Sequence, residues 1–204
     1  MAGNRAKVRV FQQGVSGKQN AFHCPTGIDK YRKLVCIFGD SQMRTLVQGD
    51  VEFPKKRGCQ FLVNSTPGGK CHHVEKELCH FEFPRRPAVI VLQVGTNNIQ
   101  ATNWQEALGA TRKEFKSLLL RAKQAANSVL CVGVAPRLDE KGELAHVWNA
   151  AMRNIAAEEG AEWIDLESTF NTESRHLWAR DGLHLSDDHG IPTLLKRLVE
   201  HPAL

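Results

Sequence analysis

The chain has 204 residues, of which 42% are hydrophobic and 24% are charged, an ordinary composition for a globular protein with a buried core. No stretch approaches the roughly 18 apolar residues of a membrane span, and no charged and then apolar leader suggests secretion. The six cysteines are scattered, and several lie in apolar runs. We therefore expect a cytoplasmic protein with reduced, mostly buried thiols.

The first 33 residues carry most of the positive charge. They contain seven basic residues and one acidic residue, whereas the whole chain has a net charge of +5. This asymmetry predicts a basic N-terminal arm, residues 1–29, followed by a single domain, residues 30–204. Basic arms favour contact with RNA or an anionic membrane surface, although a solubilising tail has the same composition. The candidate contact residues are Arg5, Lys7, Arg9, Lys30, Arg32 and Lys33.

Along the chain, short apolar runs alternate with helical patterns. We expect residues 12–29 to be loosely ordered, with a short edge strand at Val8, Val10 and Phe11 as an alternative. Apolar runs predict five buried strands at residues 34–38, 60–64, 88–94, 129–135 and 162–166. Apolar stripes with a period of 3.6 predict helices over residues 104–122, 144–155 and 191–199. This alternation predicts a three-layer α/β/α domain with a five-stranded parallel sheet of the flavodoxin-like type.

Three predicted strand ends and one C-terminal segment carry polar or glycine-rich motifs. They lie at residues 38–42, 67–70, 95–98 and 181–186. Sites on parallel sheets lie in loops beyond the carboxyl ends of the strands, so we expect the strand-end motifs to meet at one edge. Gly-Asp-Ser alone is more often a turn or a helix cap, but the four motifs together contain what acyl transfer needs.

Ser41, Asp181 and His184 can form a nucleophile with its base. A serine hydroxyl is a poor nucleophile and needs a base within hydrogen-bond reach, which His184 can provide. Asp181, three residues earlier, can reach the other ring nitrogen through a local turn and stabilise the imidazolium. A glycine-loop N–H and an asparagine amide can donate to the developing oxyanion.

These four motifs, in this order, resemble the SGNH hydrolase family, also called GDSL esterases, from about residue 33 to the C-terminus. The resemblance implies that Ser41 is the nucleophile and that Asp181 and His184 complete a triad. It also implies that the Ser41 N–H, the Gly69 N–H and the Asn97 amide form the oxyanion hole.

Two positions leave questions within that resemblance. Gly68 adjoins Gly69, so either glycine can be the oxyanion donor. The third motif ends in Asn98, where the family usually has Asp. The same Gly-Thr-Asn-Asn form occurs in the intracellular platelet-activating-factor acetylhydrolase subunits, which the chain resembles more distantly. The Asp-to-Asn difference therefore does not by itself argue against activity.

Within the family, the chain is most similar to the esterase domain in the first-open-reading-frame protein of LINE-type non-LTR retrotransposons. The Phe-Gly-Asp-Ser-Gln opening, the Pro-Gly-Gly loop and the basic segment carry this resemblance, which implies a ribonucleoprotein setting. We expect hydrolysis of short-chain acyl, acetyl or lipid esters through an acyl-enzyme on Ser41, without a metal or organic cofactor. The alternative is an esterase-fold binding module that associates with RNA or anionic lipid without essential turnover.

A second pattern concerns metal binding. On a helix, His73, Glu77 and His80 would share one face at i, i+4 and i+7, a spacing that can hold a transition metal. A surface helix that carries histidines for other reasons gives the same pattern, and we predict no metal site here.

Overall fold

A computed structural model describes residues 10–204, and its centre is one sheet. The strands are β1 (Gln12–Gln13), β2 (Gln19–His23), β3 (Lys33–Gly39), β4 (Cys59–Ser65), β5 (Val89–Gln93), β6 (Ser128–Val132) and β7 (Glu162–Ile164). Their order across the sheet is β1-β2-β4-β3-β5-β6-β7. The five strands from β3 to β7 are parallel, which confirms the predicted five-stranded parallel core.

Helices cover both faces of this sheet. They are α1 (Arg44–Gln48), α2 (Cys71–Cys79), α3 (Trp104–Ala125), α4 (Gly142–Glu158) and α5 (Gly190–Glu200). Val35 and Ile37 of β3 pack in the core that contains α1 and α5, whereas Leu34 and Cys36 pack in the core that contains α2, α3 and α4. This alternation follows from the two-residue period of a strand and confirms the three layers. None of the helices within residues 10–204 is long and apolar enough to cross a membrane.

The N-terminal segment differs from the prediction. β1 and β2 form an antiparallel hairpin, and β2 pairs antiparallel with β4. The expectation of loose order is therefore wrong for residues 12–23, and the sheet has seven strands. The hairpin is polar because it lies at the edge of the sheet, where an apolar run is not needed. The hairpin precedes the predicted boundary between residues 29 and 30, yet it belongs to the same sheet as the strands that follow this boundary.

The predicted basic arm extends beyond the described residues. Val8 and the basic residues Arg5, Lys7 and Arg9 lie outside the described residues, so the edge strand proposed at Val8, Val10 and Phe11 is only partly within them. Val10 is exposed and precedes β1, and it belongs to neither strand of the hairpin. The basic arm as a binding element therefore stays a prediction.

Candidate active site

Ser41 lies at the carboxyl end of the central strand, β3. The strand ends at Gly39, and Ser41 begins a 3₁₀ turn that ends at Met43. The side chain of Asp40 caps this turn, with Oδ1 accepting the Gln42 N–H at 3.0 Å. Gly39 has to lack a side chain because a Cβ there would lie 2.4 Å from the Met43 side chain. The central strand, the glycine and the cap together fix the position of Ser41.

Asp40 is fully buried beneath the turn that carries Ser41. Its backbone carbonyl accepts a hydrogen bond from Ser65 Oγ at 2.9 Å. Its carboxylate Oδ2 has no hydrogen-bond partner within residues 10–204. Burial raises the pKa of Asp40 to about 6, although the Gln42 N–H and the charges of His184 and Arg137 act in the opposite direction. The Asp40 carboxyl therefore changes charge near pH 6 and not near pH 4.

Asp181 and His184 reach Ser41 from the loop that precedes α5. His184 Nε2 lies 2.8 Å from Ser41 Oγ, and His184 Nδ1 lies 2.7 Å from Asp181 Oδ2. Asp181 Oδ1 accepts the N–H groups of Leu183 and His184, both at 2.9 Å. Partial burial raises the pKa of Asp181, but these hydrogen bonds outweigh it and lower the pKa to about 2. The structure brings the three predicted triad residues together, while their catalytic roles stay a prediction.

The loop that carries His184 is a tight antiparallel turn. Ala179 N–H donates to the His184 carbonyl at 2.7 Å, and Trp178 and Leu185 form a β-bridge. Gly182 adopts a φ of +68°, the left-handed conformation that glycine accommodates without strain. The Trp178 indole Nε1 donates to the Pro136 carbonyl at 2.9 Å, which attaches the turn to the segment after β6.

Gly69 and Asn97 meet beside β3, at the ends of its two neighbouring strands. The Gly69 N–H donates to the Thr66 carbonyl at 2.8 Å and closes a turn with Pro67 and Gly68 at its centre. Gly68 has a φ of +67°, and proline followed by such a glycine is the pattern of a type II turn. Asn97 Nδ2 donates to the Gly69 carbonyl at 3.1 Å. An asparagine amide has two N–H donors, so this bond occupies one of them.

Arg137 belongs to none of the predicted motifs, yet it is buried between two of the loops. Its Nη1 donates to the Thr96 carbonyl at 3.0 Å, and its Nε donates to Asp139 Oδ1 at 2.9 Å. The hydrogen bond from Arg137 lowers the pKa of Asp139. The adjacent Leu138 N–H donates to the Gly182 carbonyl at 2.8 Å. The segment after β6 thus connects two of the motif loops. Because it follows the carboxyl end of a parallel strand, its place in the sequence could have indicated a position beside the site.

Asn98 is also held by partners that the sequence did not indicate. Its Oδ1 accepts the Cys71 N–H at 3.0 Å, and its Nδ2 donates to Glu114 Oε2 at 2.9 Å. Glu114 Oε1 lies 2.9 Å from His72 Nδ1. Partial burial raises the pKa of Glu114, but the hydrogen bonds with His72 and Asn98 outweigh it and lower the pKa. An aspartate at position 98 would place a like charge beside Glu114, whereas asparagine donates a hydrogen bond to it.

His73 and Glu77 of α2, and His80 directly after its last residue, have the predicted metal-ligand spacing but contact other partners. Glu77 is buried and its Oε1 accepts the Ser16 N–H at 2.8 Å, while His73 Nδ1 accepts the Lys70 N–H at 3.1 Å. Burial and the neighbouring His72 lower the pKa of His73 to about 4. His80 Nδ1 lies 2.9 Å from the Lys76 carbonyl oxygen. Within residues 10–204, no group of three His, Cys, Asp or Glu side chains is arranged to hold a metal ion.

Ser41, His184 and Asp181 stand in hydrogen-bond sequence at the carboxyl edge of the parallel sheet, an arrangement also found in serine hydrolases. Residues 78–188 match the GDSL-like Lipase/Acylhydrolase family, which is more than half of the 204 residues. The chain therefore belongs to this family. The matched range includes Asn97, Asp181 and His184 and begins after Ser41.

Several solved structures share the fold of this chain. The acetyl xylan esterase AlAXEase superposes with a TM-score of 0.67 at 18% identity, over 81% of this chain and 97% of that one. A catalytic mutant of Axe2, an acetylxylan esterase from Geobacillus stearothermophilus, gives 0.63 at 15% identity, over 87% and 98%. The lipase/acylhydrolase from Enterococcus faecalis gives 0.63 at 16% identity, over 82% and 93%. No curated protein sequence matches the chain significantly.

Proposed function

We propose that this chain is a serine esterase that hydrolyses carboxylic esters through an acyl-enzyme on Ser41. The observation that carries the proposal is a continuous pair of hydrogen bonds. Ser41 Oγ lies 2.8 Å from His184 Nε2, and His184 Nδ1 lies 2.7 Å from Asp181 Oδ2. A nucleophile, a base and a group that orients the base are the elements that nucleophilic catalysis by serine requires.

The reaction follows from these contacts. His184 Nε2 takes the hydroxyl proton as Ser41 Oγ attacks the ester carbonyl carbon, and Asp181 stabilises the imidazolium that forms. The imidazolium then gives its proton to the departing alcohol, which leaves the acyl group on Ser41. Water, deprotonated by His184, attacks the acyl-enzyme, and the carboxylic acid is released as the serine regains its proton.

The oxyanion of each tetrahedral intermediate needs fixed donors, and we assign this role to the Ser41 N–H, the Gly69 N–H and the Asn97 amide. One N–H of Asn97 Nδ2 donates to the Gly69 carbonyl, and the second would donate to the oxyanion. The Gly69 N–H already donates to the Thr66 carbonyl at 2.8 Å, so the oxyanion has to share it or displace that bond. The neighbouring Gly68 N–H is the alternative donor.

Short acyl esters are the proposed substrates, and acetyl esters are the first to test because two of the structural relatives are named as acetyl xylan esterases. The resemblance to the retrotransposon esterase domain supports a cytoplasmic ribonucleoprotein setting and extends the substrate class to lipid esters. A binding module without turnover is less well supported, because binding alone requires no base within 2.8 Å of a serine hydroxyl.

Labelling with a fluorophosphonate tests the function without knowledge of the substrate. The wild-type protein should be labelled and should hydrolyse p-nitrophenyl acetate, and Ser41→Ala should lose both while it keeps its melting temperature. Ser117→Ala, which removes an exposed hydroxyl bonded to Glu75, is the matched control and should behave as wild type. Turnover that persists in a folded Ser41→Ala protein would show that another group is the nucleophile.

Binding of RNA or anionic vesicles through the basic arm is a separate part of the proposal. Because the hairpin of β1 and β2 belongs to the sheet, the arm should be shortened only by residues 1–9, which removes Arg5, Lys7 and Arg9. The slope of log affinity against log salt should then become shallower by about 0.7 for each lost phosphate contact on single-stranded RNA. An unchanged affinity and slope would identify these residues as a solubilising tail.

A further inference from the structure

The side chain of Gln42 holds the backbone on both sides of His184. Gln42 Nε2 donates to the Leu183 carbonyl at 3.1 Å, and the Leu185 N–H donates to Gln42 Oε1 at 3.0 Å. Leu183 and Leu185 are the two neighbours of His184 in the chain. Gln42 is only 5% exposed, so these bonds are largely shielded from water. One amide therefore fixes the peptide segment from which the His184 ring projects.

The same residue is rigidly connected to the nucleophile. Gln42 follows Ser41 within one 3₁₀ turn, and its own N–H is bound by the Asp40 cap at 3.0 Å. The distance between Ser41 Oγ and His184 Nε2 is thus set through a short path of one turn and two hydrogen bonds. The letters GDSL in the family's name correspond to residues 39–42, with leucine in place of Gln42. A leucine side chain could neither donate nor accept such bonds.

We propose that Gln42 is a positioning residue that keeps His184 in reach of Ser41 during ester hydrolysis. This inference rests on the proposed function. Gln42 acts through the backbone of the His184 loop and touches neither the substrate nor the reacting atoms. Displacement of a reacting group by about 1 Å can cost on the order of 10² in rate, so loss of both bonds should lower kcat with little change in KM.

Gln60 provides a matched control at the opposite end of the sheet. Its Nε2 donates to the Gly27 carbonyl at 2.9 Å, and its Oε1 accepts the Asp29 N–H at 2.7 Å. Gln60 therefore bonds the two neighbours of Ile28 just as Gln42 bonds the two neighbours of His184. It lies at the beginning of β4, whereas the site lies at the carboxyl ends of the strands.

The experiment compares Gln42→Met with Gln60→Met, because methionine preserves length and volume without either hydrogen-bonding group. We expect Gln42→Met to lower kcat for p-nitrophenyl acetate about 10- to 100-fold, with KM within about threefold of wild type. The maximal rate of fluorophosphonate labelling should fall in parallel. Amide hydrogen exchange in the peptide that spans residues 177–186 should become faster. Gln60→Met should leave all of these unchanged while it alters exchange near residues 27–29.

Several results would overturn the proposal. A folded Gln42→Met protein with kcat within threefold of wild type would show that the bonds do not position the base. An equal fall in Gln60→Met would indicate a general loss of stability. If Gln42→Met does not fold, Gln42→Leu takes its place with the same expected changes. A wild-type protein without turnover would contradict the proposed function alone. Even then, unchanged hydrogen exchange at residues 177–186 in Gln42→Met would show that Gln42 does not fix the His184 loop.

Discussion

Ser41 and His184 share one hydrogen bond but are held by different kinds of structure. Ser41 follows the central strand of the sheet, which pairs with β4 and β5 along its length and is buried from Leu34 to Gly39. His184 lies in a loop that belongs to no strand of the sheet, and its side chain and that of Asp181 are 37% and 51% exposed. The sheet positions Ser41, whereas individual hydrogen bonds position His184.

This difference predicts how substitutions divide between stability and turnover. Around His184, removal of one polar group should lower turnover and leave the sheet intact. Around Ser41, the supporting groups are buried at the end of β3, so their substitution should alter both turnover and the free energy of unfolding.

Among substitutions of the groups around Ser41, the largest expected effect is that of Asp181→Asn. The amide would favour the wrong histidine tautomer and cannot stabilise the imidazolium, so kcat for p-nitrophenyl acetate should fall by about 10⁴. The melting temperature should change little, because Asp181 is half-exposed. Asp188→Asn, which alters an exposed carboxylate seven residues further along the chain, is the control. A decrease of less than tenfold would show that Asp181 does not orient His184 in the reaction.

An intermediate effect is expected for Asn97→Ala. Because the amide acts on charge that develops only in the transition state, kcat should fall by about 10² to 10³ with a smaller change in KM. Asn127→Ala, which removes an exposed amide bonded to Arg86, should leave both constants unchanged. A change confined to KM would mean that Asn97 binds the substrate and does not stabilise the oxyanion.

The smallest effect is expected in the pH dependence of the free energy of unfolding. It comes from Asp40, which is buried next to Ser41. Burial raises the pKa of Asp40 from 3.8 to about 6 in the folded protein. Between these two pH values the folded protein keeps a proton that the unfolded chain releases. The free energy of unfolding should therefore decrease as the pH rises from about 4 to 6.

Asp40→Asn should remove this contribution, since asparagine keeps an acceptor for the Gln42 N–H and does not titrate. Urea unfolding at several pH values between 4 and 7 would measure the difference in slope between the two proteins. Equal slopes would mean that the pKa of Asp40 is the same in the folded protein as in the unfolded chain.

The parts of the fold that the sequence predicted are those in which a short segment is sufficient. The five parallel strands are apolar because both of their faces are covered, so each can be recognised by itself. Asp181 and His184 lie three residues apart, and the contact between them is a local turn. The strand-end motifs could be placed at one edge because parallel strands share a direction.

The parts that were missed depend on partners far along the chain. The hairpin of residues 12–23 has few apolar residues, and Asn20 Nδ2 joins it to Asn64 Oδ1 and Thr66 Oγ1, both at 2.9 Å. Arg137 contacts a carbonyl 41 residues earlier, and Gln42 contacts residues more than 140 positions later. No local periodicity encodes such contacts, because they exist only after the sheet has formed.

The separation of Ser41 and His184 has a consequence for the order in which the protein folds. They lie 143 positions apart, and the strands from β4 to β7 all lie between them in the chain. Because contacts of such high sequence separation require costly loop closure, we expect this one to form after the local elements have assembled. A nascent chain that has completed β3, β4 and β5 can already have the Ser41 turn, yet it contains no His184. The onset of ester hydrolysis during synthesis or refolding would therefore mark the moment at which the His184 loop packs against the end of β3.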